Sequence, residues 1–248
     1  MFTNTQHCDV GYCLKDPTGG FAFEPPRTVF SQRDKPLNIR AIQNCPAVNA
    51  MERQLIEMPA PIGIKMTMVV ENNQPTLNVN PQGTFVQPDV LGKMLRMEPP
   101  ERWRHPKKPV VELDLPMFLV TDEPCLLAQL PPFLRPEMRR WPGSMVASRF
   151  PVTWWPQDLK WTFEWEDIGQ ELSIRQGDPL CYFMCEFNHP EKRPRLVEAA
   201  LTDELAEFRL GMDGVHHLTP ELAEVMDKAK ERRPERLLVP LDEAEASA

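Results

Sequence analysis

The sequence predicts a β-rich α+β protein with mainly antiparallel sheet, curled or arranged as a sandwich, and two C-terminal helices. Three observations indicate this fold class. Residues 159–166 alternate strictly between apolar and polar side chains, which is the period of a half-buried strand. The chain has 28 prolines but only 11 glycines, and proline ends helices while turns and strand edges tolerate it. Two segments near the C-terminus carry helix-start signals.

The first third of the chain predicts an arm followed by strands. Residues 1–36 have turn signals and little periodicity. Residues 36–43 alternate as a half-buried strand does, and residues 53–80 hold one or two strands with a turn at ENNQP. Residues 88–98 are expected to form either a short helix or an irregular link.

The middle of the chain predicts the strands of a core. Residues 108–134 contain the alternating run VVELDLPMFLV, a turn at TDEP and a further strand, CLLAQL. Residues 159–167 show the clearest alternation, and residues 179–187 are a dense apolar run typical of a buried strand. The apolar side of the alternating strand consists of Leu159, Trp161, Phe163 and Trp165.

Two helices are predicted after residue 200. Residues 202–211 begin with a threonine N-cap and acidic residues, and end at a glycine. Residues 219–234 place Thr219 at the N-cap, proline at N1 and basic residues late in the helix. RLLVP is a candidate final strand, and LDEAEASA is expected to be a frayed acidic tail.

These changes in pattern divide the chain into three parts. We expect an N-terminal arm over residues 1–36 and a β-rich domain over residues 37–187. Residues 188–248 are expected to form a helical C-terminal extension packed on that domain.

Composition limits the class of protein. The formal net charge of −8 argues against a nucleic-acid-binding surface, because phosphate contacts require clustered lysine and arginine. No apolar run reaches the ~18 residues needed to span a bilayer, and the N-terminus lacks the pattern of a signal peptide. We therefore expect a soluble protein without a membrane partner. Six cysteines without regular spacing predict reduced thiols in the cytoplasm.

The tryptophan-rich segment 149–167 supplies the candidate ligand site. Trp161 and Trp165 share the apolar side of a strand and are expected in the core. Trp154 and Trp155 are adjacent, so in an extended chain they would point in opposite directions. One of them is therefore expected to be partly exposed, in a pocket or a subunit contact. The candidate ligand-binding residues are Arg149, Trp154, Trp155 and Asp158.

No metal site is predicted, and the sequence does not identify a cofactor. Cys181 and Cys185 would stand about 13 Å apart on a strand, too far to bind one ion, so we expect buried inert thiols. The segment 7–13 could bind a metal in a loop, but no second pair of ligands is correctly spaced to complete the site. The sequence also lacks the phosphate-loop and nucleophile-elbow motifs. The candidate ligands, should a metal bind, are His7, Cys8, Cys13, His105 and His189.

Several segments resemble a family of uncharacterised proteins found in bacteria and tailed phages. The similarity lies in CPAV (45–48) and RRPERLLVPL (232–241), and in residues 149–167 and 177–187, with their tryptophan block and G-x-P strand. This family has no established activity, so the resemblance implies membership of a domain family of unknown function and nothing about chemistry.

A shorter resemblance lies within the same region. The segment LKWTFEWEDIGQELSIRQGDPLCYF is similar to the final strands of the dUTPase-like β-clip fold, with residues 174–183 on the last strand. The resemblance implies a related β architecture and an oligomeric habit. The aspartate–tyrosine loop and the glycine-rich phosphate arm of dUTPases have no equivalent here, so it does not imply nucleotide hydrolysis.

Two functions of different classes remain open. The first is a non-catalytic binding or assembly module, a homo-oligomer whose aromatic pocket or interface takes a small-molecule or peptide ligand. The alternative is an enzyme acting on a small molecule or peptide, with or without the assistance of a metal. The sequence identifies neither a catalytic residue nor a substrate.

Overall fold

Three sheets and five α-helices make up the described part of the chain, which in this computed structural model comprises residues 7–15, 24–32, 41–84, 86, 88–215, 219 and 221–247. In chain order, the strands are β1 (His7–Leu14), β2 (Arg27–Thr28), β3 (Leu55–Pro59), β4 (Ile64–Glu71), β5 (Gln74–Val79), β6 (Leu95–Met97), β7 (Val110–Val120), β8 (Cys125–Leu130), β9 (Gly143–Met145), β10 (Ser148–Pro151), β11 (Asp158–Trp165), β12 (Glu171–Ile174), β13 (Pro179–Phe187) and β14 (Arg193–Glu198). The helices are α1 (Pro46–Glu52), α2 (Pro88–Met94), α3 (Asp203–Met212), α4 (Leu222–Lys230) and α5 (Leu241–Ser247).

The sheets are almost entirely antiparallel, and the predicted β-rich fold class is confirmed. The first sheet has the order β14-β1-β7-β11-β9, and β6 also pairs with β7. The second sheet has the order β10-β8-β13-β3-β2, and the third has the order β12-β4-β5. The pair β1–β14 is parallel.

Side chains from all three sheets meet in a first apolar cluster. Its aromatic centre is the alternating face of β11, where Trp161, Phe163 and Trp165 are fully buried, as the sequence predicts. The rings of Trp161 and Phe163 stack with centroids 5.1 Å apart, and Phe163 meets Trp165 edge to face at 5.5 Å. Strict alternation on one strand therefore builds a continuous aromatic row in the core.

The two faces of β7 have different environments. The inner face contributes Leu113 and Leu115 to the first cluster. The outer face carries Glu112 and Asp114 in the first half of the strand, but Phe118 and Val120, both buried, in the second half. A second apolar cluster forms there, between the end of β7 and side chains of α3 and α4. The outer face of β7 changes from charged to apolar along the strand, and the helices cover the sheet only at its apolar half.

Several strand predictions are confirmed, with corrections to detail. The runs VVELDLPMFLV, CLLAQL and PLCYFMCEF form β7, β8 and β13. The predicted turn joins β4 to β5 through Asn72 and Asn73, with φ of 53° and 61°, a conformation that asparagine tolerates. Residues 53–80 contain three strands, one more than expected. Residues 88–98 contain α2 followed by β6.

The expected strand at residues 36–43 is not found where it can be tested. Residues 36–40 lie outside the described residues, and the segment Ile42–Asn44 is a 3₁₀ helix.

Residues 7–14 were expected to belong to an arm, but they form β1 in the interior of the first sheet. The strand is buried on both faces: Val10 joins the first apolar cluster and Cys13 the second. Burial on both faces removes the alternation by which a half-buried strand is recognised. The division of the chain into three parts remains a prediction, although β1 and β14 bring residues of the first and third parts into one sheet.

The C-terminal elements agree in part with the sequence. Helix α3 is capped as predicted, since the Thr202 hydroxyl accepts a hydrogen bond from the Leu205 amide at 3.2 Å. Helix α4 begins later than expected, at Leu222, because the Thr219 hydroxyl binds the Glu221 amide in a turn before the helix.

The two remaining C-terminal expectations are wrong in detail. The acidic segment expected to be a frayed tail contains α5, which is held by Arg236 binding both carboxylate oxygens of Glu243 at 2.7 Å. The RLLVP segment is not a strand and makes a single bridge, between Ala199 and Pro240. None of the helices in the described residues is both long enough and apolar enough to cross a membrane.

Gly11 of β1 offers a test of this packing. A Cβ atom at Gly11 would lie 2.9 Å from Ala199 Cβ and 2.9 Å from Val120 Cγ2, closer than carbon atoms approach. We expect Gly11→Ala to lower the free energy of unfolding by about 1–3 kcal/mol, measured by urea denaturation. The control is Gly92→Ala in α2, where no atom lies within 4 Å and a gain of up to about 1 kcal/mol is expected. Equal stability of the two variants would contradict the close packing of β1.

Candidate functional site

A cleft of about 440 Å³ lies where α3 packs beside β11. We call it the α3–β11 cleft. One part of its lining is apolar and includes Trp155 and Leu210, whose side chain is 77% exposed. The other part is charged and includes Asp158, Lys160 and Arg209. A cleft of mixed apolar and polar lining at the junction of two elements is typical of ligand sites.

Asp158 is held by two cations. The Lys15 ammonium lies 3.0 Å from one of its carboxylate oxygens, and the Arg209 guanidinium donates to the other. Arg209 in turn donates to the Pro156 carbonyl at 3.0 Å and lies over the Phe118 ring, 3.6 Å from its centroid. Because its side chain is only 19% exposed, Arg209 holds α3 against β11 through a charge that is largely shielded from water.

The two adjacent tryptophans do not lie on an extended strand. Residues 152–154 form a turn in which the amides of Trp154 and Trp155 both donate to the Pro151 carbonyl, at 3.0 and 2.8 Å. Both indoles are half-buried and both pack against the second apolar cluster. The sequence argument assumed an extended backbone, whereas the chain turns between β10 and β11. Half-buried Trp155 nevertheless lines the α3–β11 cleft.

The four predicted ligand-binding residues lie in three places. Trp155 and Asp158 line the α3–β11 cleft. Trp154 contacts the guanidinium of Arg233 at 5.4 Å from its ring centroid and is not part of the lining. Arg149 lies on β10 in the second sheet and pairs with Glu186 at 2.5 Å. The structure therefore brings together half of the predicted set.

Sequence reasoning missed the other residues of the cleft. Asp114 and Lys160 occupy polar positions on β7 and β11, and the alternation of both strands marks them as facing away from the core. Arg209 and Leu210 come from α3, and no signal in the sequence tells which strand that helix covers. Arg209 and Leu210 reach the cleft only because the second apolar cluster packs α3 against the end of β7.

The candidate metal ligands are dispersed. Cys8 and Cys13 are buried on opposite faces of β1, and burial raises the pKa of Cys13 to about 12. His7, His105 and His189 are exposed. Within the described ranges, no group of three or more histidine, cysteine, aspartate or glutamate side chains is placed to hold a metal ion.

The thiols of β13 are buried, as the sequence predicts. Cys181 and Cys185 are 0% and 2% exposed. Burial raises the pKa of Cys181 to about 12 and also raises that of Cys185. Both thiols therefore remain protonated at neutral pH, which makes them poor nucleophiles and poor metal ligands.

A charged network lies beside the cleft on the outer face of the first sheet. Arg96 of β6 binds Glu98 at 2.8 Å and Asp114 at 2.9 Å, and it also contacts Glu112. Arg102 is a second partner of Glu98, at 2.8 Å. A groove of about 480 Å³ runs along these residues and shares Asp158 and Lys160 with the α3–β11 cleft.

Arg96 supplies a counter-charge to the carboxylate of Glu98, which is only 4% exposed. Burial alone would raise the pKa of Glu98, but hydrogen bonds from Arg96 and Arg102 bring it below the ordinary value of 4.5. A carboxylate with a lowered pKa stabilises the fold above its unfolded pKa, and that contribution is lost as the pH falls through the folded pKa.

Arg96→Gln tests this network. We expect it to lower the free energy of unfolding by about 1–3 kcal/mol at pH 7, less than the loss of a fully buried partner because the Arg96 side chain is 39% exposed. The difference from wild type should shrink between pH 7 and pH 3, since a protonated Glu98 needs no counter-charge. Lys230→Gln, which removes an exposed pair with Asp227, should cost less than about 0.5 kcal/mol. A loss for Arg96→Gln that does not depend on pH would contradict the assignment.

The chain was compared with known families, proteins and structures. We found no match to the chain among protein-family models, curated proteins or solved structures. The resemblances to the bacterial and phage family and to the dUTPase-like fold remain predictions.

Proposed function

We propose that the protein is a non-catalytic binding module whose α3–β11 cleft takes a small molecule or a peptide with an apolar body and a charged end. The observation that carries the proposal is the two-part lining. Trp155 and Leu210 offer apolar contact, while Asp158, Lys160 and Arg209 offer charges. Leu210 is 77% exposed at the cleft, so its side chain is available for contact with a ligand.

The state of the charged groups supports binding rather than proton transfer. Asp158 already accepts from two cations, and Arg209 is held by a carboxylate, a carbonyl and an aromatic ring. A general base acts through an atom positioned at the proton that it removes, whereas each carboxylate oxygen of Asp158 is already directed at a cation of the chain itself. Groups fixed in advance by ion pairs instead orient a ligand at low entropic cost.

A second copy of the chain is a further candidate for the same surface. The sequence predicts a homo-oligomer, and exposed apolar side chains beside charged ones are typical of subunit contacts. A dimer that Leu210→Ser dissociates, measured by sedimentation velocity, would assign this surface to assembly.

Fluorine NMR of protein labelled with 5-fluorotryptophan tests the binding site directly. Trp155→Phe assigns the Trp155 resonance. We expect fragments that combine an aromatic or aliphatic body with an amine or a carboxylate to shift this resonance. Leu210→Ser should weaken their binding about fivefold, because it removes roughly 1 kcal/mol of apolar contact.

The matched control is Leu201→Ser, which changes an exposed leucine (42%) outside the cleft lining and should leave fragment binding unchanged. Two results would contradict the proposal. Fragments could bind while shifting only the resonances of other indoles, or they could bind the Leu210→Ser variant as tightly as wild type.

A further inference from the structure

A second cleft, of about 300 Å³, lies between the end of α1 and the connection from β13 to β14. We call it the arginine cleft because Arg53 and Arg193 both line it, together with Gln54 and Glu191. None of these residues lines the α3–β11 cleft. The two arginines come from parts of the chain that are distant in sequence, so the fold itself creates their proximity.

Both arginines are held by ordered elements. Arg53 caps the C-terminal end of α1, where its amide donates to the Asn49 carbonyl at 3.1 Å, and its guanidinium lies 4.6 Å from the Phe30 ring centroid. Arg193 begins β14 and is paired with His7 of β1.

Gln54 fixes the opposite side of the cleft. Its side-chain amide donates to the Lys192 carbonyl at 2.6 Å, and its backbone carbonyl accepts from the Cys185 amide at 2.9 Å. These bonds tie the end of α1 to the β13–β14 connection. The arginine cleft is therefore preformed.

Neither arginine of this cleft is paired with a carboxylate in the described part of the chain, although Glu191 lies on the same lining. No ion pair to a carboxylate is found there for either Arg53 or Arg193, and the Arg53 Nε atom is buried without an acceptor. Burial lowers the pKa of Arg193, and the charge of Arg53 lowers it further, against a smaller opposing effect of Glu191. The two guanidiniums, which line the same cleft, thus repel each other.

Other arginines of the same protein show the contrast. Bound carboxylates raise the pKa of Arg195 and of Arg236, each of which has a bidentate partner. Keeping two like charges together without a counter-ion costs free energy, which an anion between them would recover. Such uncompensated clusters are a feature of binding sites.

We infer that the arginine cleft binds an oxyanion, the carboxylate or phosphate group of a small ligand, between Arg53 and Arg193. Guanidinium groups present paired N–H donors that match the spacing of carboxylate and phosphate oxygens. The volume of the cleft is at the lower end of the range for ligand sites, ~300–1,000 Å³, which suits an anionic group with a few attached atoms. Glu191, which is exposed on the same lining, opposes the anion and limits its affinity.

The first experiment titrates the 248-residue chain with inorganic phosphate and, separately, with acetate, while chloride keeps the ionic strength constant. Phosphorus NMR linewidths report phosphate binding, and the thermal unfolding midpoint reports both anions. We expect saturable binding of at least one probe, and the comparison tells phosphate recognition from carboxylate recognition. Absence of saturable binding of both probes would overturn the inference.

Substitutions then locate the site. Arg193→Gln should weaken binding at least tenfold, and Glu191→Gln should strengthen it severalfold because it removes the opposing charge. A gain in affinity cannot arise from damage to the fold, so the second variant remains informative if the first is unstable. Arg175→Gln, which changes an exposed arginine elsewhere, should bind as wild type does. Unchanged affinity in both the Arg193→Gln and Glu191→Gln variants would place any anion binding outside the arginine cleft.

Discussion

The architecture depends on the change of polarity along the outer face of β7. The carboxylates of Glu112 and Asp114 require water or counter-charges, whereas the apolar side chains of Phe118 and Val120 are stabilised by burial away from water. The helices therefore pack only over the second half of the strand, and the salt-bridge network of Arg96 occupies the first half. The α3–β11 cleft lies along this boundary, since the helical layer stops where the charged positions begin.

Those parts of the fold that follow a strict period could be predicted from the sequence. Leu159, Trp161, Phe163 and Trp165 alternate with polar residues, and each is buried as expected. Threonine at position 202 likewise specifies the start of α3, because a capping hydroxyl acts on an amide only three residues away. Local signals of this kind need no knowledge of the rest of the chain.

The candidate site could be predicted only in part, because it depends on contacts between distant segments. Trp155 and Asp158 were found since they belong to one conspicuous stretch of sequence. Arg209 could not be found, because its role depends on α3 packing over Phe118. Arg149 was expected beside Trp155, but it lies on β10 and pairs with Glu186, because the chain turns at residues 152–154. β1 was missed for a related reason, as burial on both faces removes the period of two.

The parallel pairing of β1 with β14 has a consequence for biosynthesis. Asp9 and Arg195 bind each other across 186 positions of the chain, so β1 leaves the ribosome long before its neighbour is translated. At ~5–20 residues per second, this interval lasts on the order of 10–40 s. During that time Gly11 and Cys13 lack the cover that Ala199 and Leu238 later provide. An unfinished sheet edge invites pairing with other chains, so the nascent chain is open to such pairing until β14 takes its place beside β1.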